Sequence, residues 1–339
     1  MSAPADGVIL QVRDATKLYG GVMAVQDISF DVARGEILGL IGPNGAGKTT
    51  LVNLITGTAR PTRGTVVFEG AALHRLAPHK IGRLGIARTF QVVRPFLHLS
   101  VRENVAVGAM FGSGGARRST GAAFRKADEV LDFVEMLPLR DEPADSLPIG
   151  WRKRLELAKA LAMEPRLLLL DEVMAGLRGS EVDQAIALVK RINAGGITIV
   201  VIEHVMKVIM SLSHRVIVLD YGKKIAEGTP AQVVRDPAVI QAYLGKKFAQ
   251  TAGPATMDEA IDEEQAAARA AGLELDEPPK PQEEAQALRT DDHPRGWQEL
   301  GERQPGRAPG EEPGTAGQEA PEPDPPPGRA GEPKERERE

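Results

Sequence analysis

The chain has 339 residues, 42% of them apolar, a net charge of −5 and no cysteine. That apolar fraction is typical of a globular protein, and the missing thiols exclude disulfides, thiolate metal sites and cysteine catalysis. Met1–Val8 has neither the basic start nor the apolar stretch of a signal peptide. No apolar run approaches the ~18 residues that span a bilayer, so work at a membrane is expected to pass through a partner.

Residues 7–248 read as an alternation of strands and helices. Val8–Leu18, Gln26–Val32 and Thr65–Glu69 look like strands of a separate, partly antiparallel sheet. Glu36–Ile41, Arg166–Leu170, Ile197–Ile202 and Arg215–Leu219 are short and nearly continuous in apolar residues, as parallel strands covered on both faces are. Strand, helix and strand in this order imply an α/β domain with right-handed crossovers. From about 95 to 163 the pattern turns helical, with Ala127, Val130, Leu131, Val134 and Leu137 at helical spacing, so a helical insertion interrupts the core. A further helix is expected to be capped by Ser180, with Asp183 in the capping-box position. Val182, Ile186 and Val189 form its stripe, and Gly195-Gly196 ends it.

Composition changes beyond residue 250. Residues 251–339 hold 14 of the 25 prolines, and 23 acidic against 10 basic residues. Such a segment buries too little apolar area to offset its chain entropy, so 250–339 is expected to be a disordered acidic tail without a catalytic role. Met257–Leu275 can form a short helix, and Pro321–Pro327 reads as extended. The remaining body is mildly basic. Its basic residues are scattered and aromatics make up only 4% of the chain, which gives no support for nucleic acid binding.

Gly42-Pro43-Asn44-Gly45-Ala46-Gly47-Lys48-Thr49 satisfies G-x-x-x-x-G-K-S/T after an apolar strand and before the helical run that starts at Thr50. Its glycines let backbone N–H groups turn around phosphate oxygens, and the following helix directs its positive end at the same anion. Lys48 is expected at the β- and γ-phosphates, and the Thr49 hydroxyl on Mg²⁺. The strand Leu167–Leu170 ends in Asp171-Glu172. Two acids after a strand are common. Beside a phosphate loop, Asp171 suits Mg²⁺ and Glu172 suits a general base that polarises water.

Residues 7–248 resemble the nucleotide-binding subunits of ABC transporters, and among these the ATP-binding subunits of branched-chain amino acid importers. The resemblance rests on GLIGPNGAGKTTL (39–51), GIARTFQ (85–91), RLELAKAL (154–161), LLLLDEVMAGL (167–177), IEHVM (202–206) and GKKIAEGTP (222–230). It implies a P-loop NTPase core of the RecA-like type, with an antiparallel β subdomain and an inserted α-helical subdomain. It also implies ATP and Mg²⁺ as ligands and ATP hydrolysis coupled to transport. By position, Tyr19 matches the aromatic residue that stacks on adenine. Gln91 matches the glutamine that approaches Mg²⁺ and water and senses the membrane partner. His204 matches the switch histidine at the γ-phosphate.

The family's Leu-Ser-Gly-Gly-Gln signature reads Leu147-Pro148-Ile149-Gly150-Trp151 here. Proline replaces serine, removing one donor, and tryptophan replaces glutamine. Gly150 still brings a backbone N–H to the ATP held by the opposite subunit. Arg152-Lys153-Arg154 either balances phosphate charge or forms a solvated helix face. Arg178 stands where the family usually has Asp or Asn. The partners implied are membrane-spanning permease subunits, a second ATP-binding subunit (identical or related) and, indirectly, a solute-binding protein. The expected location is cytoplasmic, peripheral on the inner face of the plasma membrane. Lipopolysaccharide export, urea or short-amide import, and a low-turnover regulatory subunit are alternative readings. A soluble cassette protein of translation or DNA repair ranks lower, because the chain has a single phosphate loop and no sustained heptads.

Overall fold

The computed structural model describes residues 7–90, 93–113, 119–177, 179–203 and 205–244. The expected tail at 250–339, with its helix and its proline run, lies outside the described residues, as do Gln91, Arg178 and His204.

The chain opens with a long hairpin, β1 (Val8–Tyr19) and β2 (Val22–Ala33), turning on Gly20-Gly21. β3 (Ile37–Ile41) follows, fully buried, and leads through the glycine-rich loop into α1 (Lys48–Ile55). Then come β4 (Arg63–Phe68), β5 (Ala71–Ala72), α2 (Pro78–Arg83) and β6 (Ile86–Arg88). Three helices intervene before the next strand: α3 (Val101–Phe111), α4 (Thr120–Phe133) and α5 (Ile149–Ala162). β7 (Leu167–Asp171), α6 (Gly179–Ala194), β8 (Thr198–Ile202), α7 (Met206–Leu212) and β9 (Arg215–Asp220) restore the alternation. β10 (Lys223–Gly228), α8 (Pro230–Val233) and α9 (Pro237–Leu244) complete the described chain.

Two sheets form. One is antiparallel throughout, in the order β2-β1-β4-β5; the sequence pattern had suggested only partial antiparallelism. The other has the order β10-β9-β3-β8-β7-β6 and is parallel except for β10, which returns along β9. Side chains alternate across a strand, so each parallel strand serves two cores. On one face Leu38, Leu40, Leu167 and Leu169 join Leu51, Leu54 and Ile55 of α1 with Val12, Phe30 and Phe68 of the antiparallel sheet. α1 is thereby packed between the sheets. On the other face Ile41, Leu168 and Leu170 meet Val105, Leu131 and Leu155 of the three inserted helices, and Ile186 of α6. Leu167–Leu170 are all fully buried, and each such leucine stabilises the fold by roughly 1.5–3 kcal/mol.

α3 starts in a capping box. The Glu103 N–H donates to Ser100 Oγ, and the Ser100 N–H donates to a Glu103 carboxylate oxygen at 2.8 Å. One turn on, the fully buried Asn104 ties down the preceding segment. Its Oδ1 accepts from the Phe96 N–H at 2.8 Å, and its Nδ2 donates to the Phe96, Leu99 and Ser100 carbonyls. α6 departs from expectation. It begins at Gly179, so Ser180 lies inside the helix, and Asp183 pairs with Lys207 at 2.8 Å. Ile186, Leu188, Val189 and Ile192 form its buried face, with Val182 only half-buried.

Candidate active site

The glycine-rich loop joins β3 to α1 at one edge of the parallel sheet. Gly42 has φ +148°, and a methyl group there would overlap the Leu219 carbonyl oxygen of β9. Gly47 has φ +100°, and a methyl group would sit 2.5 Å from the Ala24 carbonyl oxygen. Neither position accommodates a side chain. The back of the loop is braced by the β9–β10 turn. The Gly222 N–H donates to Ala46 O at 3.0 Å, and the Gln26 N–H donates to Gly222 O at 2.7 Å.

Asn44, Gly45 and Thr49 are exposed at the mouth of the loop, while Pro43, Gly47 and Thr50 are half-buried and Ala46 is buried. Lys48 folds back over the loop and donates to Gly42 O at 2.6 Å and Pro43 O at 3.0 Å. Burial lowers its pKa from the usual lysine value, opposed by the nearby Glu172 and Asp171 carboxylates. α1 has no side-chain N-cap, so its first N–H groups are left for a ligand. A glycine-rich cradle, an uncapped helix start and a half-buried ammonium suit a phosphate group.

Asp171 ends β7, buried. Arg88 of β6 donates to its carboxylate at 2.5 Å and to Asn53 Oδ1 of α1 at 2.8 Å, and its guanidinium lies over the Phe90 ring. The Asp171 N–H donates to Thr89 Oγ1 at 3.1 Å. This clamp was not read from the sequence, where Arg88 served only to mark the approach to Gln91. Replacing Arg88 by methionine leaves the Asp171 charge buried without its partner. The expected result is a loss of about 3–5 kcal/mol of stability, measured by denaturant unfolding of the full chain.

Glu172 turns the chain out of the strand with φ +50°, an uncommon conformation for a side-chain-bearing residue, and its N–H donates to Ile202 O at 2.9 Å. The Glu172 carbonyl accepts from Lys153 Nζ at 3.4 Å, and the same ammonium donates to Ala175 O. Burial lowers the Lys153 pKa, opposed by Glu203 and Glu172. The next strand end contributes Glu203, buried, whose carboxylate accepts from the Met174 N–H at 2.9 Å. Lys48, Asp171 and Glu172 are thus brought within electrostatic reach of one another.

Pro148 is the N-cap of α5 and supplies no side-chain bond. Gly150 opens the helix against Leu177 and Glu181, the neighbours that a methyl group there would meet. The three basic residues that follow turn to groups of their own chain. Arg152 donates to Asp145 O at 2.5 Å, Lys153 binds the 172–175 turn, and Arg154 covers the Trp151 ring at 5.0 Å. Tyr19 ends β1, 47% exposed, with the Lys17 ammonium 4.8 Å from its ring centroid.

A mostly parallel sheet with a glycine-rich loop after β3, an Asp-Glu pair leaving β7 and three helices inserted before β7 defines a P-loop ATPase cassette. The ABC transporter family model matches residues 25–175, and a model described as branched-chain amino acid ATP-binding cassette transporter matches residues 223–249. The chain is 37% identical over 250 residues to the high-affinity branched-chain amino acid transport ATP-binding protein BraF of Pseudomonas aeruginosa, covering 70% of this chain and 98% of that protein. It is 36% identical, with the same coverage, to the corresponding protein LivG of Escherichia coli. Among solved structures, the ADP conformation of an ABC transporter cassette superposes with a TM-score of 0.65 at 30% identity, over 70% of this chain and 99% of that one. The chain belongs to the family of ABC transporter ATP-binding subunits, nucleotide-binding cassettes whose ATPase activity is coupled to transport. Among the described residues, no helix is long and apolar enough to cross a membrane.

Proposed function

We propose that the chain hydrolyses ATP to power uptake of branched-chain amino acids or related small solutes through partner membrane subunits. One observation carries the choice of solute: the likeness to BraF and LivG, together with the branched-chain model at 223–249. In this reading residues 7–248 form the nucleotide-binding domain, with a helical insertion at about 95–163. The subunit sits in the cytoplasm, peripheral on the inner face of the plasma membrane. Its partners are permease subunits, a second ATP-binding subunit and, indirectly, a solute-binding protein.

The residue roles combine the geometry of the loop and of the end of β7 with the family resemblance. The N–H groups of Gly42–Thr50 cradle the phosphates, and Lys48 reaches the β- and γ-phosphate oxygens. Tyr19 presents a ring face to adenine. Thr49 and Asp171 offer hard oxygen donors for Mg²⁺, and the family resemblance adds Gln91, which lies outside the described residues. No cage of three or more acidic, histidine or cysteine side chains occurs among the described residues, which suits an ion that takes its remaining ligands from phosphate and water. Bound Mg²⁺ supplies positive charge against the phosphates. Glu172 takes the proton of the attacking water, and His204 and Lys48 offset charge at the γ-phosphate. Gly150 of a second subunit completes the site from the opposite side, so ATP favours the closed pair.

The test is reconstitution with the permease subunits in vesicles. ATP turnover is expected to rise when a binding protein loaded with leucine, isoleucine or valine is added. A rise with urea or short amides instead would overturn the solute and leave the ATPase standing.

A further inference from the structure

The turn that carries Glu172 is gripped from two sides by side chains of opposite charge. After β7 the chain bends through residues 172–175, with the Ala175 N–H donating to Glu172 O at 3.3 Å. From α5, the Lys153 ammonium donates to Ala175 O and, at 3.4 Å, to Glu172 O. From the end of β8, the buried Glu203 carboxylate accepts from the Met174 N–H at 2.9 Å. A cation thus holds carbonyls of the turn, and an anion holds an N–H between them. Neither side chain has a part in the steps assigned above to nucleotide and water.

Packing alone does not set this turn. A cavity of about 130 Å³ lies between α5, the turn and α6, lined by Lys153, Val173, Met174 and Leu177 among others. The register of β7 with β8 ends at Asp171, opposite Ile202. Glu172 itself sits at φ +50°, a conformation that persists only where its surroundings over-determine it. Apolar side chains could line the turn at a lower desolvation cost than a lysine and a glutamate. Charged partners add strength and direction, because hydrogen bonds to ionised groups are roughly twice as strong as neutral ones.

We propose that Lys153 is a positioning residue for ATP hydrolysis: its ammonium, with Glu203 on the other side of the turn, fixes residues 172–175 so that the Glu172 carboxylate faces the attacking water. This rests on the reading of Glu172 as the general base. Lys153 acts through the backbone of that base and of Ala175, and a displacement of about 1 Å at a reacting group costs on the order of a hundred-fold in rate. The same helix carries Gly150, so the grip on the base and the glycine offered to a second subunit belong to one rigid element.

The experiment measures phosphate release by the assembled complex for Lys153→Met, Lys153→Arg, Glu172→Gln and the double variant Lys153→Met with Glu172→Gln. Methionine keeps much of the lysine stem and removes the ammonium. The kcat of Lys153→Met is expected to fall about ten- to a hundred-fold. Its KM for ATP, and the Kd for ADP with Mg²⁺ of the full chain, stay within about two-fold of the parent, because the phosphate loop is untouched. Lys153→Arg, which keeps a charged donor, retains most of the parental kcat. The double variant is expected within about two-fold of Glu172→Gln alone, since groups that act as a unit are lost only once. A lysine that served the fold alone would lower nucleotide affinity and melting temperature along with kcat, and its loss would multiply that of Glu172→Gln. That multiplication, an unchanged kcat in Lys153→Met, or a loss beyond about ten-fold in Lys153→Arg overturns the proposal. Full turnover in Glu172→Gln overturns the reading of the base, and the proposal with it.

Discussion

Replacing Glu172 by glutamine lowers ATP turnover by about 10²–10⁴-fold, the range of a lost general base, and leaves nucleotide binding intact. Glutamine keeps the size of the side chain and its capacity to hydrogen-bond, but cannot take a proton at neutral pH. The turn that carries Glu172 is fixed by main-chain groups: its N–H on Ile202 O, its carbonyl on Lys153, and the Ala175 carbonyl on the same lysine. The substitution therefore leaves the backbone in place, with its positive φ. It also removes a carboxylate that supports the charged form of Lys48, but the phosphates supply more negative charge than is lost. Phosphate release by the assembled complex and ADP binding by the full chain separate the two effects. Unchanged release removes the assignment.

Gly42→Ala is the second large effect, and it acts on shape. The added methyl would overlap the Leu219 carbonyl and approach Ala46 Cβ at 3.1 Å. β9 cannot retreat easily, because Leu38–Ile41 pair with Arg215–Val218 along the length of β3. A conformation close to glycine-only and an overpacked contact together cost about 2–6 kcal/mol. The cost divides between the melting temperature and nucleotide affinity, and both are expected to fall. An alanine variant that melts and binds ADP like the parent would show that the loop adjusts without strain.

The parts of this site that were legible in the sequence are those built from contiguous residues. The phosphate loop is one such stretch, and its neighbours Ile37–Ile41 and Leu51–Ile55 announce a buried strand and an apolar helix face. The strands of the parallel sheet were legible because burial on both faces leaves nearly unbroken apolar runs. The Arg88–Asp171 clamp was not, because its partners are 83 positions apart and meet only when β6 pairs with β7. Lys153 looked like one of three equivalent cations. Only the packing of α5 beside the 172–175 turn distinguishes it from Arg152 and Arg154. The start of α6 was misplaced because Ser180 is a good cap by residue type, yet the helix already begins at Gly179. Asn104 offered no signal, since a single asparagine in a helical run is most often a surface residue.

The strand that carries the phosphate loop sits between β8 and β9 in the sheet. Ile37–Leu40 align with Ile199–Ile202, and Leu38–Ile41 with Arg215–Val218. During synthesis, residues 37–49 leave the ribosome long before either neighbour exists. The binding motif is thus made well before the two strands that flank it in the sheet. The brace behind the cradle is available only after the chain has run past Gly222, which bonds Ala46. Pairings this distant in sequence are slow to form, so the early apolar strand must be kept from mispairing while the rest of the sheet is still being made.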